Sequence, residues 1–279
     1  MSWGLVLSGG AAFGIANGGV LEVLEREGLK PDCIAGSSMG AIFGACCALG
    51  IPVARIRKAI DDLSLLNVAR LSDQLLKDGL QGGFLRQELE RHVQPLFGDA
   101  RIADCKIPFV CVAGKLHGPI AWSHIVRKGF RDEFNAAVSF HVFPPETKLM
   151  DAVAASSAIP VVFSPISIDG EQYVDLCHFG PIPARALQER FHPDRIVATD
   201  TEPMYEKLRK FLPSGWRDFL EAGDEHIALD KAACDLVIGV DPPASLFRFD
   251  KGQAFWEAGR RAAEEKLEAM KKLLSKKAS

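Results

Sequence analysis

The sequence predicts an α/β fold with a mostly parallel central sheet, and three observations carry that prediction. Strand and helix patterns alternate within the first 50 residues. The strand candidates are short apolar runs of the kind that buried parallel strands show. Further runs of the same kind recur late in the chain, at Arg195 to Thr199 and Leu236 to Val240. Alternation of this sort builds a parallel sheet with helices on both faces.

Taken in order, Trp3 to Leu7 reads as a strand ending in the glycine loop Ser8-Gly9-Gly10. Ile15 to Glu27 has Val20, Leu21, Val23 and Leu24 at helical spacing, with Gly28 as a C-terminal stop. Cys33 to Ala35 is a second strand, Gly36 to Gly40 a sharp turn, and Ala41 to Leu49 a helix of small residues. Helices are expected from Ile51 to about Lys77 and from Phe84 to Phe97, and strands over Pro108 to Ala113 and around Ile120 to Val126. Leu149 to Ala158 reads as a short helix. Ile166 to Val174 reads as a hairpin turning on Asp169-Gly170, a pair suited to the positive φ of a tight turn. Gln253 to Leu274 is a long helix with Phe255, Ala263, Leu267, Met270 and Leu274 along one stripe. A single domain over 1–279 is expected, with insertions at about 128–147 and 203–222. The first of these, rich in phenylalanine, reads either as packed core or as a lid.

Composition narrows the function. The chain has 279 residues, 48% hydrophobic and 25% charged, enough for one ordinary core. A net charge of -3 argues against nucleic acid as partner. The seven cysteines form no C-x-x-C pair and read as core thiols of a reducing compartment. No basic leader or long apolar run marks the N-terminus, and no run reaches the roughly 18 residues of a membrane span. A cytoplasmic protein is expected, compatible with peripheral membrane contact. The lysines at 271, 272, 276 and 277 read as a solvated helix end or a contact for anionic lipid.

Gly36-Ser37-Ser38-Met39-Gly40 fits G-x-S-x-G, in which a serine on a tight strand-to-helix turn is presented as a nucleophile. The helix that follows favours negative charge near Ser38. Ser8-Gly9-Gly10-Ala11-Ala12 can aim successive N–H groups at one point, as an oxyanion or a phosphate requires. Without a Lys-Ser/Thr pair it is no P-loop, and Ala11 breaks the dinucleotide pattern. Asp175, at the end of a strand, is a candidate general base for Ser38.

Together these elements resemble the patatin-like phospholipase family, whose pattern is a glycine-rich loop, G-x-S-x-G about 25 residues later, and an Asp-Gly-Gly or Asp-Gly-Ala motif in the second half. Ala155 to Pro160, Tyr173-Val174-Asp175 and Pro181-Ile182-Pro183 also follow that family's order. The resemblance implies a three-layer α/β/α fold and hydrolysis of lipid acyl esters, with no metal or cofactor. It implies Ser38 as nucleophile and Asp175 as base, Gly36 and Gly40 flanking the elbow, and Gly9, Gly10 and Ala11 donating N–H groups to the oxyanion. The implied partner is a lipid ester, met in solution or at a membrane surface. Two positions depart from the pattern: Phe13 stands where the family has Arg or Lys, and Leu176-Cys177 replaces the glycine pair after the Asp. A side chain at 176 is expected to restrict the backbone there, and Ala11 to be a mild change. Two alternatives stand beside this reading: a Ser-His-Asp esterase using His178, His192 or His226, and a non-catalytic lipid-binding protein on the same fold.

Overall fold

The computed structural model describes residues 1–61, 89, 91–118, 137–160, 163–176, 179–201, 214–241, 243 and 248–275, without the side chains of 214–222. In chain order its main elements are β1 (Trp3–Leu7), α1 (Ala16–Arg26), β2 (Cys33–Gly36), α2 (Met39–Leu49), β3 (Phe109–Leu116), β4 (Val138–Val142), α3 (Leu149–Ser156), β5 (Ile166–Ile168), β6 (Glu171–Val174), α4 (Ala184–Phe191), β7 (Arg195–Asp200), α5 (Ser214–Ala232), β8 (Leu236–Gly239) and α6 (Gly252–Ser275). A 3-10 turn over Ala11–Ile15 joins the glycine loop to α1.

The strands form one sheet in the order β5-β6-β3-β2-β1-β7-β8, with β4 also paired to β3. The β3-β2-β1-β7-β8 portion is parallel; β4, β5 and β6 are antiparallel additions. Helices cover both faces, as expected. Leu5, Leu7, Ile34, Phe109, Cys111 and Val197 face the layer of α1, α2, α3 and α6. Val6, Ala35, Val110, Val112, Ile196 and Ala198 face the layer of α4 and α5. These strands are buried on both sides, which is why their sequences read as apolar runs rather than alternating ones.

The hairpin turn has positive φ at both Asp169 (50°) and Gly170 (82°), the backbone its sequence predicts. A helix runs over 53–61, and Gln94–Phe97 is helical; the rest of those two expected helices, and the expected strand at 120–126, lie outside the described residues. Within the expected insertion at 128–147 lies β4, a sheet strand, and the end of that at 203–222 belongs to α5. Of the four phenylalanines, Phe143 is core and Phe140 is 50% exposed; Phe130 and Phe134 lie outside the described residues.

α6 packs on α1 at backbone contact. A Cβ on Gly259 would fall 1.9 Å from the Ala16 carbonyl oxygen, and one on Gly19 would fall 2.0 Å from that of Trp256. The Trp256 ring fills the space that Gly18 leaves, and its indole N–H donates to Glu22.

Candidate active site at the ends of β2 and β6

β3 organises the site. One of its edges is taken along its length by β4, with Cys111 accepting from Phe143 N–H (3.0 Å) and His117 N–H donating to Ala137. The other edge is shared by two strands. β2 runs parallel to it with Gly36 opposite Cys111, and β6 runs antiparallel with Val174 opposite Gly114. Their C-terminal ends therefore meet head to head, three β3 residues apart, roughly 10 Å of strand. The chain leaves β2 into Ser38 and leaves β6 into Asp175. Both side chains are buried.

Ser38 has φ 52° and ψ −127°, a conformation that costs a residue with a side chain of order 1–3 kcal/mol and persists only where the surroundings enforce it. The enforcement is visible. A Cβ on Gly36 would lie 2.4 Å from the Gly40 carbonyl oxygen, and one on Gly40 would lie 2.1 Å from that of Leu7. Both glycines are required by this close approach rather than by their own φ. The Ser38 N–H donates to the Ser156 hydroxyl at 2.8 Å. Two residues further on, the Ala158 carbonyl accepts the Asp175 N–H at 2.9 Å.

The glycine loop lies against this turn: a Cβ on Gly9 would come within 3.2 Å of the Ser38 Cβ. Gly10 has φ 129° and Ala11 φ 45°. Ala11 is thus no mild replacement for glycine, since it occupies the left-handed region at a cost. The Gly9 N–H is committed to the Pro181 carbonyl (2.9 Å), so that donor is not available to a ligand, contrary to the sequence reading. The N–H groups of Gly10 and Ala11 have no acceptor among the described residues.

A buried polar network fixes the loop from behind. Thr199 Oγ1 accepts from Ser8 N–H (2.9 Å) and donates to Asn17 Oδ1 (2.7 Å), while Asn17 Nδ2 donates to the Ser8 carbonyl (2.9 Å). Thr201 N–H donates to Ser8 Oγ (3.2 Å), and Thr201 Oγ1 donates to the Gly9 carbonyl. Sequence reasoning missed Asn17, Thr199 and Thr201. The available signal was the polar run Thr199-Asp200-Thr201 closing an apolar strand, at the sheet end where α/β sites form.

The family model for patatin-like phospholipases matches residues 5–175, more than half of the chain and both strand ends just described. The chain belongs to the patatin-like phospholipase family. It is 25% identical over 210 residues to lysophospholipase NTE1 of Saccharomyces cerevisiae, covering 72% of this chain and 11% of that protein. It is 30% identical over 181 residues to an NTE family protein of Mycobacterium tuberculosis, covering 64% of this chain and 43% of that one. The chain therefore spans less than half the length of these relatives. Among solved structures, ExoU in its complex with SpcU from Pseudomonas aeruginosa superposes with a TM-score of 0.50 at 16% identity, over 96% of this chain and 51% of that one. This likeness is one of fold.

Both departures from the patatin-like pattern are packing changes. Phe13 is buried against Phe255 of α6, ring centroids 5.6 Å apart. Leu176 does not adopt positive φ. Its side chain joins the core on the α4–α5 face and is accommodated because Gly180 has no Cβ, which would lie 2.7 Å from Leu176 Cδ1. It also lines a cavity of about 310 Å³ with Phe179 and His226. His226 packs on Phe179 (5.9 Å) on that face, whereas α3, which carries Ser156, packs on the other. His192 caps α4 beside the start of β7, at the opposite end of the sheet from Ser38. His178 lies outside the described residues. No described helix is long and apolar enough to cross a membrane.

Proposed function

We propose that this patatin-like protein is a serine acyl hydrolase acting on carboxylic esters of lipids, phospholipid or lysophospholipid, through Ser38 and Asp175. The observation that supports this reading most is the end-to-end approach of β2 and β6 on one edge of β3, with the strand ends that precede positions 38 and 175 three register positions apart. The lysophospholipase name of the yeast relative supports the substrate class.

In this reading Ser38 Oγ attacks the ester carbonyl carbon and passes its proton to the Asp175 carboxylate. The oxyanion accepts N–H donors from Gly10 and Ala11, which have no other acceptor among the described residues, and sits near the N-terminus of α2. The tetrahedral intermediate expels the alcohol, which takes the proton from Asp175 and leaves Ser38 acylated. Water then attacks the acyl carbon, Asp175 accepts its proton, and Ser38 Oγ leaves carrying that proton. No histidine is needed.

The test is covalent labelling with a fluorophosphonate probe, read by intact mass. Wild type is expected to gain one adduct, Ser38→Ala and Asp175→Asn none, and His226→Ala to label like wild type. Folded wild type that takes no label would remove the hydrolase reading and leave lipid binding on the same fold. Loss of labelling in His226→Ala would favour a histidine triad instead.

A further inference from the structure

Resting on the hydrolase reading, we propose that Ser156 is a positioning residue: its hydroxyl, at the C-terminal end of α3, holds the nucleophile turn in its reactive shape and ties it to the strand end that carries Asp175. Ser156 is 1% exposed and does not reach substrate, so it acts through Ser38.

Three observations meet at this side chain. First, Ser38 combines positive φ with burial, and its N–H pairs with neither a strand nor a helix carbonyl among the described residues. Ser156 Oγ is the acceptor that N–H finds, at 2.8 Å. A buried amide left without an acceptor is among the costlier defects in a folded chain, and the turn would relax to relieve it. Second, the hydroxyl lies beside the thiol of Cys111, which is buried in β3 opposite Gly36. Burial pushes that thiol up to about 12, so it stays protonated and neutral, and no charge forms beneath the nucleophile. Third, the same stretch of chain grips the other partner. Ser156 and Ala158 are two residues apart, and Ala158 accepts the Asp175 N–H at 2.9 Å. One short segment thus contacts the chain beyond both strand ends. A shift of about 1 Å between reacting groups is enough to lose 10²-fold in rate.

Ser157 supplies an internal control. It is the next residue, it is also buried, and its hydroxyl makes no hydrogen bond among the described residues. A general need for serine at this helix end would make Ser156→Ala and Ser157→Ala alike. A positioning role separates them.

The experiment compares Ser156→Ala, Ser156→Thr and Ser157→Ala with wild type on a p-nitrophenyl acyl ester, and follows Ser38 amide exchange by NMR with 15N-serine. For Ser156→Ala, kcat is expected to fall on the order of 10- to 100-fold, with KM within about threefold and Ser38 amide exchange at least about tenfold faster. Ser157→Ala is expected to match wild type in all three. Ser156→Thr keeps the hydroxyl and is expected to recover most of the rate and the amide protection; it also carries the test if Ser156→Ala does not fold. Equal kcat for wild type and Ser156→Ala overturns the proposal, as does unchanged Ser38 amide exchange. If wild type itself hydrolyses no ester, the hydrolase reading fails, and the amide exchange still decides whether Ser156 holds the turn.

Discussion

Ala11 keeps a β-carbon at φ 45°, where an L-residue is disfavoured by roughly 1–2 kcal/mol. Glycine is normally a destabilising replacement, and here the sign reverses. Ala11→Gly is expected to raise stability by up to about 1 kcal/mol in urea unfolding, with labelling of Ser38 retained. Thr199 presents the opposite case, since its hydroxyl serves Ser8 and Asn17 together. Thr199→Val keeps the shape and orphans both groups, at about 1–3 kcal/mol for each. The same denaturation series measures it, and slower probe labelling should accompany the loss. Ser38 and the glycine loop were legible because their requirements are local: glycines where backbones touch, a serine between strand and helix. Asn17 and Thr201 were not, because their roles exist only when β7 lies beside β1. The commitment of Gly9 N–H to Pro181 was hidden for the same reason.

Among the elements, the α1–α6 pair depends on absent side chains. Gly18, Gly19 and Gly259 allow Trp256 and the two backbones to close, and Phe255 of the same helix reaches Phe13 beside the glycine loop. Gly259→Ala places a methyl 1.9 Å from the Ala16 carbonyl oxygen, so the helices must separate. Destabilisation of about 1–3 kcal/mol is expected from thermal unfolding, the usual penalty of overpacking. The stripe on α6 was legible from its period, and its partner was not. β1, β2, β3 and β7 were legible as apolar runs. β4 was missed because its residues alternate between half-buried and exposed and include His141 and Ser139. α4 was missed because Ala184–Phe191 is short and half polar, burying only Ala184, Ala186 and Leu187.

For the molecule as a whole, the thiols set an alkaline limit. The six described cysteines are free, and burial raises all of them from the ordinary value of 9.0: Cys33 and Cys47 to about 11, Cys105, Cys111 and Cys234 to about 12, and Cys46 higher still. The folded state holds these protons more tightly than the unfolded chain. Their contribution to stability is therefore complete below pH 9 and is lost as pH rises from 9 toward the folded values. The Tm by scanning fluorimetry should fall steadily between pH 9 and 11, and a flat profile there would contradict the burial. The α/β class and the parallel core were open to a reader of the sequence because alternation and apolar runs encode them directly. The mixed edge of β4, β5 and β6 was only partly so, through its one hairpin.

The shared edge of β3 also has a meaning in time. Residues 38 and 175 lie more than a hundred positions apart in the chain, yet the ends of the strands that deliver them are only three register positions apart along β3. No early, local folding event can join them; the register of β6 on β3 must close a long loop first, and such pairings form slowly. A refolding protein should recover its far-ultraviolet helix signal before it recovers reactivity toward a fluorophosphonate. On the proposed Ser38–Asp175 mechanism, a nascent chain still lacking β6 would carry its serine turn with nothing to accept the proton, so reactivity would arrive only with the last strand of the edge.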